Sequence, residues 1–309
     1  MKIGFLFPGQ GAQTVGMGKD LYDNFEEYRN VYNKVKEITG VDVADITFNK
    51  EEELNQTKNT QICILTMSLA ILELLKKENI ESEISSGLSL GEYSALINSG
   101  AISFEDGVKI IKKRGELMQE LCPEGDWSMV AILGLDEEKV NEICKNIRSG
   151  FIAPANYNCP GQIVISGEKK AIEEAIKKAK EAGAKKAVEL KTSGPFHTEM
   201  LKEAAEKLRE ELENIDIHQF KTTVIKNIDG KEYSNEDNIK DILSKHITNP
   251  VRFEQGIKTM LDKGVDTFIE VGPGKSLSGF VKRSSRDVKI LNINDITSFE
   301  NTIKVLKGE

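Results

Sequence analysis

Gly87-Leu88-Ser89-Leu90-Gly91 fits G-x-S-x-G, with a predicted strand before it and a predicted helix after it. On so tight a strand-to-helix turn a serine is pushed out of the sheet. The backbone N–H of the next residue, Leu90, can then face a developing oxyanion. The helix N-terminus adds partial positive charge at the same point. The bland reading is an ordinary glycine-flanked turn; the flanking strand and helix favour a nucleophile. Such a serine needs a base, and the chain has three histidines, His197, His218 and His246. His218 sits in a mixed segment that reads as a surface strand entry. His246 lies near a helix end, where a cation or cap is the ordinary reading. His197, in Ser193-Gly194-Pro195-Phe196-His197-Thr198, lies where the chain returns from a predicted small domain, and is the favoured base.

Arg114 is the third residue of interest. Stepping about 100° per residue along the helix predicted over 104–121 gathers Ile110, Ile111, Leu117, Met118 and Leu121 on one face. Lys109, Lys112, Lys113, Glu116, Gln119 and Glu120 occupy the other face, and Arg114 falls in the middle of the apolar one. A guanidinium there is costly unless something anionic meets it. An internal salt bridge and a carboxylate-bearing ligand held bidentately satisfy it equally well.

Two glycine-bearing loops follow predicted strands. Phe7-Pro8-Gly9-Gln10-Gly11-Ala12-Gln13 fails the dinucleotide fingerprint, because position 14 is Thr14, but its glycines allow close backbone approach and presentation of Gln10 to a ligand. Gly272-Pro273-Gly274-Lys275-Ser276 imitates a phosphate loop without the required first glycine, since position 269 is Ile269. A strand-to-helix turn is the better reading.

The elements that must position these residues alternate. Predicted strands at 3–7, 84–88, 222–228, 266–271 and 287–292 with intervening helices imply a mostly parallel, doubly covered sheet. Between Gly125 and Leu190 the order changes to strand 128–134, helix 136–148, strands 151–155 and 162–166, helix 168–182, strand 185–190. That is the βαββαβ ferredoxin-like motif. The expected fold is α/β: a large α/β-hydrolase-like domain with a parallel sheet and nucleophile elbow, residues 1–124 and 191–309, and an inserted ferredoxin-like domain, residues 125–190. A cleft between the two is the expected ligand site.

Composition narrows the function classes. The 309 residues carry a net charge of −8, from 42 basic and 50 acidic side chains, which argues against nucleic acid as a partner. The cysteines, Cys63, Cys122, Cys144 and Cys159, form no C-x-x-C pair and suit a reducing cytoplasm. The apolar run at the N-terminus is too short for a signal peptide. Ile62–Leu75 reads as a buried core helix rather than a membrane span.

Together the motifs resemble the malonyl-CoA:acyl carrier protein transacylase family of fatty acid synthesis. The resemblance runs through Phe7–Gln13, Gly87–Ala95, Lys113–Gln119, Asn158–Gly167, Gly194–His197, Asn249–Arg252 and Glu270–Lys275, in family order. It implies that Ser89 is acylated, that His197 is its base, and that the backbone N–H groups of Gln10 and Leu90 form the oxyanion hole. It further implies that Arg114 binds the malonyl carboxylate, that Met118 lines the pocket and that Phe196 crowds a substituent at C2. A backbone carbonyl at His246 would orient His197, with no aspartate completing a triad. Malonyl-CoA and an acyl carrier protein are the implied partners, with no metal or redox cofactor, and nothing requires more than a monomer. Two positions depart from the family pattern: Leu88 stands where histidine is usual, and His246 where glutamine is frequent. An imidazole turned inward at 246 would compete for the role given to His197. Lys177, Lys178, Lys180, Lys185 and Lys186, or Lys275, Lys282, Arg283 and Arg286, are candidate docking patches for an acidic carrier protein.

Overall fold

A computed structural model describes residues 1–190 and 194–308. The predicted boundary at 190/191 and the Thr192-Ser193 part of its marker lie outside the described residues. Two five-stranded sheets organise the rest. The first orders Lys289–Ile293, Thr267–Val271, Ile3–Phe7, Ile84–Gly87 and Thr223–Val224, all parallel. All five residues of Ile3–Phe7 are buried, as a parallel strand covered on both faces requires. The strand expected over 222–228 is reduced to Thr223–Val224. A tight turn cuts it short: Lys226 N–H donates to the Lys231 carbonyl, and Gly230 N–H returns to Lys226.

The second sheet is mixed, in the order Lys186–Glu189, Trp127–Leu133, Gln162–Glu168, Ile152–Cys159, Val251–Arg252. Its first four strands pair antiparallel, and the helices Glu137–Lys145 and Lys169–Glu181 fall between them in sequence. The fifth strand comes from far along the chain and runs parallel to Ile152–Cys159. This sheet is therefore completed by residues outside 125–190.

Helix Thr57–Lys77 is long and apolar enough to cross a bilayer, but 83% of its apolar window is buried inside the protein. It packs along helix Phe104–Glu120 so closely that a Cβ on Gly115 would lie 2.9 Å from the Lys58 Cα. Those two helices, with the carboxyl ends of Ile3–Phe7 and Ile84–Gly87, frame the region where the motif loops emerge. The carboxyl end of a parallel sheet is where such folds bind ligands.

The turn after Ile84–Gly87 depends on missing side chains. A Cβ on Gly91 would sit 2.1 Å from the Phe7 carbonyl oxygen, and one on Gly9 would sit 2.4 Å from that of Leu88. Gly91→Ala should therefore lower the unfolding free energy by about 1–3 kcal/mol or more through overpacking against backbone. Gly279→Ala, in helix Ser276–Ser284 with nothing within 4 Å of the new methyl, should hold or raise it. Chemical denaturation of both variants checks this contrast; equal effects would mean that the turn can relax around a methyl group.

Candidate active site

Ser89 occupies the turn between Ile84–Gly87 and helix Gly91–Asn98 with φ 55°. Its N–H donates to Asn227 Oδ1 at 2.7 Å, and Asn227 Nδ2 donates to the Gly87 carbonyl at 2.7 Å, so one side chain pins both ends of the turn. His197 also has a positive φ, 60°. Of the three described non-glycine residues in that region of backbone space, two are thus Ser89 and His197. Conformations of this kind persist only where the surroundings over-determine them.

The two side chains meet: Ser89 Oγ lies 2.9 Å from His197 Nε2. On the other edge of the ring, Nδ1 lies 3.0 Å from the His246 carbonyl. A carbonyl only accepts, so Nδ1 carries the proton and Nε2 is left to accept from the serine hydroxyl. His246 ends helix Ile239–His246, and its imidazole does turn inward, 1% exposed. It does not reach the serine. Its Nδ1 faces Glu92 Oε2 at 3.1 Å, while its ring packs against that of His197 with centroids 4.8 Å apart. His218 is exposed, and its N–H donates to the Ala101 carbonyl.

Arg114 is the largest fully buried side chain, at 1% exposure. The salt-bridge reading fails: among the described residues no carboxylate pairs with it. NH1 donates to Gln61 Oε1 at 2.5 Å and NH2 to Ser89 Oγ at 3.1 Å, and the guanidinium carbon lies 5.5 Å from the Tyr93 ring centre. Nε has no hydrogen-bond partner among the described residues. Burial holds the guanidinium below its ordinary pKa. The groups that touch this solvent-hidden cation beside the serine hydroxyl are all neutral, and the Glu92 charge acts on it without contact.

A cleft of about 640 Å³ opens between the two sheets. Ser89, Arg114, Met118, Phe196, His197 and Gln10 line it, and Met129, Ala131 and Val164 of the second sheet form its far wall. The Gln10 side chain is less available than the loop suggested, because Nε2 donates to Thr57 Oγ1 at 3.1 Å. The backbone N–H groups of Gln10 and Leu90 make no hydrogen bond among the described residues. The Leu90 side chain packs in the core rather than in the cleft. The phosphate-loop look-alike is closed: at the start of helix Ser276–Ser284 the Glu270 carboxylate already accepts the N–H groups of Leu277 and Ser278, at 3.1 and 2.7 Å.

The acyl transferase domain family matches residues 4–301. The chain is 44% identical to the malonyl CoA-acyl carrier protein transacylase of Bacillus subtilis, over 100% of this chain and 98% of that protein. A solved transacylase of that name from Clostridium perfringens is 50% identical and superposes with TM-score 0.96, covering 100% of this chain and 98% of its own. A malonyl-transacylase solved in complex with its type II PKS acyl-carrier protein is 35% identical, TM-score 0.94, with both chains fully covered. The chain belongs to the malonyl CoA-acyl carrier protein transacylases.

Within this transacylase three supporting residues escaped the sequence reading of the site. Gln61 lies on the apolar helix Thr57–Lys77, where it accepts from Arg114 and donates to Met118 Sδ at 3.4 Å. A polar residue at the buried start of an apolar helix was the available signal. Asn227 sits in the turn that truncates the edge strand, and its only signal was the turn-forming Asn-Ile-Asp-Gly run. Glu92 was visible inside the serine motif, but nothing local says that it is fully buried. Among the described residues no disulfide joins the four cysteines; burial pushes Cys63 up to about 12 and Cys159 up to about 11, which keeps both thiols protonated.

Burial first, then the neighbouring His246 and Arg114, hold the His197 pKa well below its ordinary 6.5. The neutral, proton-accepting form therefore persists on the acid side of that value. Acylation of Ser89 should stay level as pH falls through 6.5 and decline only at lower pH, in a pre-steady-state pH profile. A rate already halved at pH 6.5 would mean that the base is an ordinary imidazole. Stability follows the same sign: the contribution of neutral His197 is complete above 6.5 and is lost as pH falls through its depressed folded value.

Proposed function

We propose that this transacylase moves the malonyl group of malonyl-CoA to the phosphopantetheine thiol of an acyl carrier protein, through a malonyl ester on Ser89, for fatty acid synthesis. The observation that carries the reading is Arg114, a buried cation without a carboxylate partner among the described residues, donating to the serine hydroxyl itself. A serine hydrolase has no use for such a charge, and the His197 ring rests on a carbonyl rather than on the carboxylate a hydrolase usually supplies.

In the first half-reaction Ser89 Oγ attacks the thioester carbonyl while His197 Nε2 takes its proton. The oxyanion is received by the N–H groups of Gln10 and Leu90, a preorganised arrangement that is usually the largest catalytic term. Collapse of the tetrahedral intermediate breaks the C–S bond, and His197 returns the proton to the departing CoA thiol. The carrier's thiol then gives its proton to His197 and attacks the ester, and the serine leaves with that proton. Arg114 pairs with the malonyl carboxylate throughout and orients the acyl carbon for both attacks. Met118 and Phe196 border the acyl group. The chemistry is complete with these side chains and needs no metal or redox group.

In this reading the Ser89 turn works as a nucleophile elbow on the larger, parallel-sheet domain, and the strands and helices of 125–190 act as a ferredoxin-like domain closing the cleft. Of the two basic groups, Lys275, Lys282, Arg283 and Arg286, on and flanking helix Ser276–Ser284, are better placed for carrier docking. Ser276, Leu277 and Phe280 of that helix line the cleft, and Arg283 reaches Gln162 on its rim at 3.3 Å.

Malonyl-CoA should add one malonyl mass to the wild type and nothing to Ser89→Ala, as read by intact-protein mass spectrometry. An adduct persisting on the variant would overturn the nucleophile. Arg114→Ala separates charged-acyl transfer from generic serine chemistry. Truncating one member of a buried charge pair costs about 2–5 kcal/mol, so malonyl kcat/KM should fall roughly thirtyfold to several thousandfold. Acetyl-CoA leaves no carboxylate stranded, so acetyl transfer should hold or rise. Equal losses on both substrates would make Arg114 a structural residue.

A further inference from the structure

The Ser89–His197 pair is held from behind by two hydrogen bonds, one from the Ser89 N–H to Asn227 and one from His197 Nδ1 to the His246 carbonyl. Both supports converge on one carboxylate. Glu92 is fully buried; its Oε1 accepts the Asn227 N–H at 3.2 Å and the Tyr233 hydroxyl at 2.7 Å, and its Oε2 lies 3.1 Å from His246 Nδ1. The His246 contact is at ion-pair distance without hydrogen-bond alignment, and neither Glu92 Oε2 nor His246 Nε2 has a hydrogen-bond partner among the described residues. No lysine or arginine pairs with Glu92 among the described residues. The Arg114 charge acts on this carboxylate without touching it, so the groups in contact with it are Asn227, Tyr233 and His246. Apart from Tyr233, it holds the supports of the nucleophile and the base.

The need is visible in the backbone. Ser89 and His197 both sit at positive φ, 108 positions apart, and their side chains must still meet at 2.9 Å. Strained residues keep such geometry only when neighbours leave them no alternative. Helix Gly91–Asn98 starts two residues after Ser89, and Glu92 is its second residue, so the carboxylate is rigidly tied to the nucleophile's own turn. From there it reaches the turn at 227 and the helix end at 246.

We propose that Glu92 is a positioning residue that locks Ser89 and His197 in register through Asn227 and His246. This rests on the transferase reading only in taking Ser89 as the acylated residue. The tests are single-turnover labelling of Ser89 by malonyl-CoA and, in parallel, by a fluorophosphonate probe, which needs the serine and its base but no malonyl site. Glu92→Gln should slow both reactions about 10- to 100-fold, as a small misplacement of reacting atoms does. The malonyl-CoA concentration for half-maximal rate should stay within about twofold, because substrate contacts are untouched. His246→Gln, which leaves a polar group facing Glu92 Oε2, should acylate faster than His246→Leu, which puts an apolar one there. Thermal midpoints of all variants separate lost folding from lost registration.

Glu92→Gln acylating at the wild-type rate per folded molecule would overturn the proposal. So would equal rates for His246→Gln and His246→Leu, a comparison that stands even where Glu92→Gln does not fold. A wild type that takes the probe but not malonyl would instead sink the transferase reading, and the Glu92 comparison would still be decided by the probe.

Discussion

A guanidinium removed from water must find compensation, and Arg114 finds it only in part. A glutamine oxygen, a tyrosine face and the serine hydroxyl touch it, all neutral, and the Glu92 charge reaches it without contact. The fold tolerates this because the cation sits on a helix clamped by a second, almost entirely buried helix, with glycine at 115 permitting the contact. On the reading proposed above, the rest of that charge is met by the acyl carboxylate of the ligand. The same charge acts on the base: together with burial and His246, it disfavours protonation of His197. On the reading proposed above, the side chain that binds the acyl carboxylate also helps to keep the imidazole able to accept a proton.

The serine turn shows how little freedom this leaves. Its carbonyl and amide are stitched to Asn227, its flanking glycines touch neighbouring backbone, and its central residue is in the left-handed region. His197 is delivered by a different stretch of chain and is equally constrained. The dyad's geometry belongs to the surrounding packing rather than to either residue. That accounts for a base that works from a carbonyl support instead of a carboxylate partner.

How far the site could be read without coordinates depended on the range of the interaction. The Ser89 turn and the burial of Arg114 are local facts, written in glycine spacing and helical period, and both were legible. The alternative partner for Arg114 was not, because excluding a carboxylate requires every neighbour to be known. Gln61, Asn227 and Glu92 were illegible as site residues for the same reason: each acts across 53 or more positions of chain. The strand expected at 222–228 is shortened to Thr223–Val224 because a turn captured Lys226 and Gly230, a competition that hydrophobic pattern does not report. The strand at Val251–Arg252 is two residues long, too short to carry any alternation, and only its pairing defines it.

The cleft is built asymmetrically. Ser89, Arg114 and His197 all come from outside the second sheet, whereas Met129, Ala131 and Val164 on the far wall belong to it and bond to none of them. Volume on that wall can change by single side-chain exchanges without disturbing the proton path or the anion site. On the reading proposed above, evolution thus inherits a wall that can adjust the bulk of the acyl group apart from the residue that meets its charge. Descendants of such a scaffold can drift toward larger acyl groups while their reaction chemistry stays intact.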